Sequence, residues 1–144
     1  MASATLHLVK LCVGIDSVEH LQDYRARMQA RGAPSPPRHI TRMWPRRADE
    51  LLQGGSLYWV IRGLIQARQR ILRLEEAIGE DGIRRCAIVM DQEIIRTAPV
   101  PRRAFQGWRY LAAGDAPPDL PPERDTEKAL PPMLANALAD IGLK

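Results

Sequence analysis

Two short stretches of the chain set aromatic rings among arginines. Arg42, Trp44, Arg46 and Arg47 form the first, and Arg102, Arg103, Phe105, Trp108, Arg109 and Tyr110 form the second. Guanidinium groups grip phosphate oxygens in bidentate pairs, and aromatic faces stack on bases. The combination fits a nucleic-acid surface, RNA first, with Arg42, Arg46, Arg47, Arg102, Arg103 and Arg109 on phosphates and Trp44 and Trp108 as stacking platforms. Pro45 suits the first turn of a helix, whose N-terminal dipole favours phosphate. Gly107 permits a positive φ that would turn the second set of rings outward. Each cluster also has a plainer reading. Trp44 packs under the helix and its arginines are solvated, or Phe105 and Trp108 close the sheet with arginine stems lying around them. The two clusters meeting on one face would favour binding.

Other chemistry is sparse. Tyr58, Arg62 and Asp91 are candidates for a cleft, and with it for a second class of function: a small enzyme or binding protein for a nucleotide or another anionic metabolite. Asp91 follows an apolar strand, where a carboxylate serves either as an acid or as a turn cap. Tyr58 and Trp59 alternate on one strand, so at most one of them faces a cleft, and Trp59 suits the core. His39 beside Arg42 is a further anion-binding pair. Arg68, Arg70, Arg73, Arg84 and Arg85 flank the hairpin expected across Gly79–Gly82. Arg68 and Arg70 share a face, and such a row either tracks a phosphate backbone or is an exposed sheet face paired with Glu75, Glu76 and Glu80. His7, His20 and His39 show no metal-binding spacing, so neither a metal nor another cofactor is implied. Cys12 and His7 fall on opposite faces of one strand and cannot act together as nucleophile and base.

The charge is unevenly placed. Of a formal net charge of +4, residues 112–144 carry −3 (six acids against three bases), which leaves +7 on the first 111 residues. A basic body with an acidic tail is the pattern of a polyanion binder. The only lysines are Lys10, Lys128 and Lys144. A codon bias toward arginine accounts for its excess as well as binding does, but not for where the arginines cluster. Cys12 and Cys86 sit in apolar, strand-like contexts and read as buried thiols of a cytoplasmic protein. Neither a signal peptide nor an apolar run of membrane-spanning length is expected, so no membrane partner is implied.

The elements that must position these residues follow from periodicity. Leu6–Val13 is apolar on both faces and reads as a central strand. Asp16 or Ser17 caps a helix with Val18, Leu21, Tyr24 and Met28 on one face, ended by Gly32. A short strand through His39–Arg42 and a helix from Pro45 to Leu52 follow, closed by Gly54-Gly55. Ser56–Ile61 is a strong strand by β-branched and aromatic content. Gly63 marks a bulge or bend, Ile65–Ala77 a long strand, and Arg85–Met90 its hairpin return across Gly79–Gly82. Gln92–Thr97 is a strand or a short helix, and Arg102–Leu111 ends the sheet. The fold class expected is α+β: a small, strongly bent mixed sheet or open β-barrel with two or three helices. The body spans residues 1–111. Residues 112–144 form a proline-rich linker or strap and a short helix through Met133–Ile141, which docks on the body or on a protein partner. In the latter case the chain would be a scaffold.

The runs HITRMWPRRADELLQGGSLYWVIRG (residues 39–63), RQRIL (68–72), GEDGIRRCA (79–87) and PRRAFQGWRYL (101–111) resemble the bacterial family known as domain of unknown function 1489. The likeness covers roughly residues 4–120. It implies no particular activity and no catalytic residue. At the level of fold, a helix ending in Gly54-Gly55 and feeding a strand that leads to Arg62 looks like the start of the PUA-like barrels, the ASCH type included. Those barrels often bind RNA or modified bases. Ser56, Leu57 and Tyr58 stand where the ASCH pattern has lysine and glutamate.

Overall fold

The computed structural model describes residues 5–121. Its elements run β1 (Leu6–Leu11), α1 (Val18–Ala30), β2 (Arg38–Thr41), α2 (Ala48–Leu51), β3 (Ser56–Ile61), β4 (Leu64–Ile78), β5 (Arg84–Met90), β6 (Ile95–Pro101) and β7 (Trp108–Ala112). The seven strands form one mixed, unclosed sheet in the order β2-β5-β4-β3-β1-β7, with β6 paired to β4. The fold is α+β, with two helices on a strongly bent sheet.

β1 is central, lying parallel to β3 and antiparallel to β7. That position explains why it is apolar on both faces. Strands β3 and β4 are joined by a two-residue turn in which Arg62 has φ 53° and Gly63 φ 80°. Positive φ at both positions matches the twist of a tight hairpin. Gly63 is therefore part of the turn rather than a bulge or bend. β4 is long because it serves two partnerships. Leu64–Arg70 pairs with β3 and, through Leu64–Arg68, with β6, whereas Ile71–Ile78 pairs with β5.

Ser17 caps α1 by accepting the His20 N–H at 2.9 Å, so Ser17 rather than Asp16 starts the helix. α2 is a single turn, and Pro45 lies in the loop before it. Gly55 closes that turn, donating its N–H to the Leu51 carbonyl at 2.9 Å and accepting from Ile71 N–H at 2.9 Å.

The two faces of the sheet bury separate clusters. On the α1 side lie Leu6, Leu8, Leu21, Leu51, Leu57, Trp59, Ile61, Ile71 and Ile88 with Trp108. The other side gathers Val9, Tyr58, Val60, Ile65 and Leu111, with Phe105 packed against them. Beyond β7 the chain straps back along β6. Ala98 donates to the Pro118 carbonyl at 2.8 Å, Leu120 donates to the Arg96 carbonyl at 2.9 Å, and Asp119 pairs with Arg68 at 2.7 Å. The helix expected through Met133–Ile141 lies outside the described residues.

Candidate nucleic-acid interface

The two arginine-aromatic clusters come together at β7, an edge strand. Tyr110 accepts the backbone N–H of Arg46 at 2.9 Å and of Arg47 at 3.1 Å through its hydroxyl. The indole N–H of Trp108 donates to the Met43 carbonyl at 3.0 Å. The two rings meet edge to face with centroids 4.9 Å apart. These three bonds fix the Met43–Arg47 loop from across the sheet, because residues 108 and 110 of a strand point to the same face.

The side chains then divide. The Arg47 guanidinium lies 5.6 Å from the Tyr110 centroid and pairs with Glu50 at 2.7 Å. Arg84, which the hairpin pattern places on a sheet flank, sits 4.5 Å over the Trp44 ring and pairs with Glu76. Arg102 and Arg109 gather over Phe105 instead, 5.3 Å and 5.1 Å from its centroid. Phe105 packs with the opposite core cluster, so the second stretch is split across the edge of β7. The arginines therefore form a rim divided between the two faces of that edge, with Arg47 against Tyr110 on one and Arg102 and Arg109 over Phe105 on the other, rather than one shared face. Arg42, Arg46, Arg103 and Arg109 are exposed, and none of them pairs with a carboxylate among the described residues. Cation–π contacts with Phe105 hold Arg102 and Arg109 without neutralising them.

The tryptophans are placed differently from stacking platforms. Trp108 is 8% exposed, and its burial follows from its packing against the Met43 loop. Trp44 is half-buried against the core under Arg84. Trp44 thus packs inward, as in its plainer reading, whereas Phe105 and Trp108 lie in opposite clusters and do not close the sheet together.

Tyr58, Arg62 and Asp91 do not converge. Tyr58 is buried on the face away from α1, edge-on to His7 at 5.0 Å. Arg62 is exposed at the β3–β4 turn. Asp91 caps a turn by accepting the Glu93 N–H at 3.0 Å and borders a small cavity of about 220 Å³ with Arg68, Arg70 and Glu93. Of the Arg68 and Arg70 row, Arg68 is taken by Asp119. Arg73 pairs with Glu75 along β4, whereas Arg84 pairs with Glu76 from β5 to β4 and is the cross-strand alternative.

A polar cluster under α1 was not legible as a site. Gln69 is fully buried; its Oε1 accepts the Trp59 indole N–H at 3.0 Å and an Arg25 N–H at 3.4 Å, and its Nε2 donates to the Asp91 carbonyl at 2.9 Å. His39 lies edge-on to Trp59 at 5.5 Å, and its Nε2 is buried with no partner. Burial first, then Lys10 and Arg25, pushes the His39 pKa down to about 4. His39 is thus neutral in the fold, which removes it as an anion-binding partner for Arg42. The unfolded chain takes up a proton near pH 6.5 that the folded chain refuses. Stability is therefore present above that value and lost as pH falls toward 4, by about 2 kcal/mol at pH 5. His7 is shifted in the same direction, by burial first and then Arg68. Urea midpoints should fall between pH 7 and pH 5, and His39→Leu should flatten much of that fall. An equal fall in the variant would contradict the assignment.

Cys12 and Cys86 are buried and free, and burial pushes both thiols up to about 11. Neither serves as a nucleophile in this state.

The model of the family described as Protein of unknown function (DUF1489) matches residues 8–144 of the chain. The chain belongs to that family. No curated protein and no solved structure matches it. No helix among the described residues is long and apolar enough to cross a membrane.

Proposed function

We propose that the chain is a cytoplasmic RNA-binding module without catalytic activity of its own, and that the arginine rim around β7 grips the phosphates of a single strand. The observation that carries this reading is that Arg42, Arg46 and Arg103 are exposed without a carboxylate partner among the described residues, Arg42 and Arg46 at a loop that Trp108 and Tyr110 fix. Free guanidinium groups attract a polyanion, and the planar fork of arginine grips phosphate oxygens in bidentate pairs. Arg47, Arg102 and Arg109 extend the same rim. Trp44 and Trp108 position it rather than stack on bases. The +7 on the first 111 residues supports the reading, as does the likeness of the Gly54-Gly55 lead-in to PUA-like barrels. The latter is an analogy of fold alone.

Heparin retention and co-purifying nucleic acid, measured at low and high salt, test this reading. The wild type should be retained and carry RNA that salt strips away. Arg42→Ala/Arg46→Ala/Arg103→Ala should lose both properties while melting normally, since exposed substitutions of this kind alter stability by only about 0.5 kcal/mol. Equal retention of the two proteins would refute the rim.

A further inference from the structure

A groove of about 600 Å³ lies between α1 and the outer side of β2, bordered at one end by the loop Gln92–Ile94. The volume is in the range of about 300–1,000 Å³ usual for small-ligand sites. Tyr24, Pro34, Pro37, Ile40 and Ile94 make apolar walls. Gln22, Gln29 and Gln92 add amide groups that both donate and accept.

One charge in this groove is uncompensated. Arg38 pairs with Glu75 at 2.9 Å, and the charge of Glu93 acts on Arg68. Arg25, in contrast, has no carboxylate partner among the described residues. Its guanidinium lies 6.0 Å from the Trp59 centroid, its one hydrogen bond is a long contact to Gln69 at 3.4 Å, and its Nε is buried with no acceptor. Burial lowers its pKa, which is the electrostatic cost of holding a cation there unpaired. An arriving oxyanion would remove that cost.

We propose that this groove binds a nucleoside monophosphate, with Arg25 pairing to the phosphate, the apolar walls enclosing the base and the glutamine amides reading its edge. The site shares no residue with the arginine rim, and it takes a small ligand where the rim takes a polymer. It stands independently of the RNA-binding reading.

Calorimetric titration of the full chain with AMP, adenosine and inorganic phosphate decides the matter. AMP should bind saturably, and adenosine and phosphate should each bind at least about tenfold more weakly. Arg25→Gln should weaken AMP by about 10–100-fold, the value of a charge-assisted hydrogen bond. Gln22→Ala/Gln29→Ala, at exposed positions on the groove face of α1, should weaken AMP by about threefold or more while keeping the Arg25 guanidinium, and so serves if Arg25→Gln fails to fold. Arg42→Ala/Arg46→Ala/Arg103→Ala should bind AMP as the wild type does. Absence of AMP binding, adenosine binding as tightly as AMP, or loss confined to the rim variant would each overturn the proposal.

Discussion

Gly55→Ala should destabilise the body by about 4 kcal/mol or more, a loss at the severe end of single substitutions. Gly55 is buried where three segments cross. An added Cβ would lie 2.3 Å from the Leu6 carbonyl oxygen and 2.5 Å from that of Leu51. Both obstacles are backbone, so no rotamer change relieves them. Moving Leu6 disturbs the start of β1, and moving Leu51 undoes the single turn of α2. Either shift also loosens the bond from Ile71 N–H to the Gly55 carbonyl, which joins this crossing to β4. Gly54→Ala is the informative contrast. Gly54 has φ 94° but open space around its Cα, so backbone strain alone is at issue, at about 1–2 kcal/mol. Urea denaturation of the two variants should separate them clearly. Similar midpoints would contradict the close packing at Gly55.

Gln69→Leu should cost about 3 kcal/mol despite its nearly conserved volume. The amide is fully buried and serves three groups at once: the Trp59 indole N–H, an Arg25 N–H and the Asp91 carbonyl. Leucine leaves the buried indole and the carbonyl without partners, and such orphaned groups cost about 1–3 kcal/mol each. Gln69→Glu is a sharper probe. It keeps the acceptor for Trp59 and gives Arg25 a counter-charge, so it should recover part of the loss while abolishing AMP binding in the groove. A Gln69→Leu protein as stable as the wild type would show that the network contributes nothing net.

Much of the fold was legible because local pattern and tertiary role coincide. Ser56–Ile61 is buried along its whole length, and its β-branched and aromatic run marks its bounds without error. The β4–β5 hairpin followed from turn composition at Gly79–Gly82. The segment Gln92–Thr97 was ambiguous between strand and helix, and β6 runs on through Pro99 and Pro101, which suit an edge rather than a central strand. It accommodates them because, among the described strands, it pairs with β4 alone. The turn of α2 is too short to show a helical period, so Pro45 suggested a longer helix than forms.

The candidate site was legible in part. The residue types of the two arginine-aromatic stretches were plain, but local spacing could not say that Tyr110 reaches the backbone of Arg46, 64 residues away. Nor could it say that β7 splits the second stretch between its two faces. Arg25 was hidden more deeply. In sequence it is one more charge on an amphipathic helix, and only the register that brings Gln69 and Trp59 beneath it reveals a cation without a counter-ion. The signal available beforehand was the single face of α1, on which an arginine next to Tyr24 sits close to the apolar stripe.

The central claim, that free arginines on a fixed rim hold RNA phosphates, is tested most directly by the salt dependence of single-stranded RNA binding. Fluorescence anisotropy with a short oligonucleotide gives the slope of log K against log salt for the wild type and for Arg42→Ala/Arg46→Ala/Arg103→Ala. The rim predicts a linear fall for the wild type and a slope shallower by about 2 for the variant, since each neutralised phosphate of a single strand adds about 0.7 to the slope. Identical slopes, or binding indifferent to salt, would contradict it.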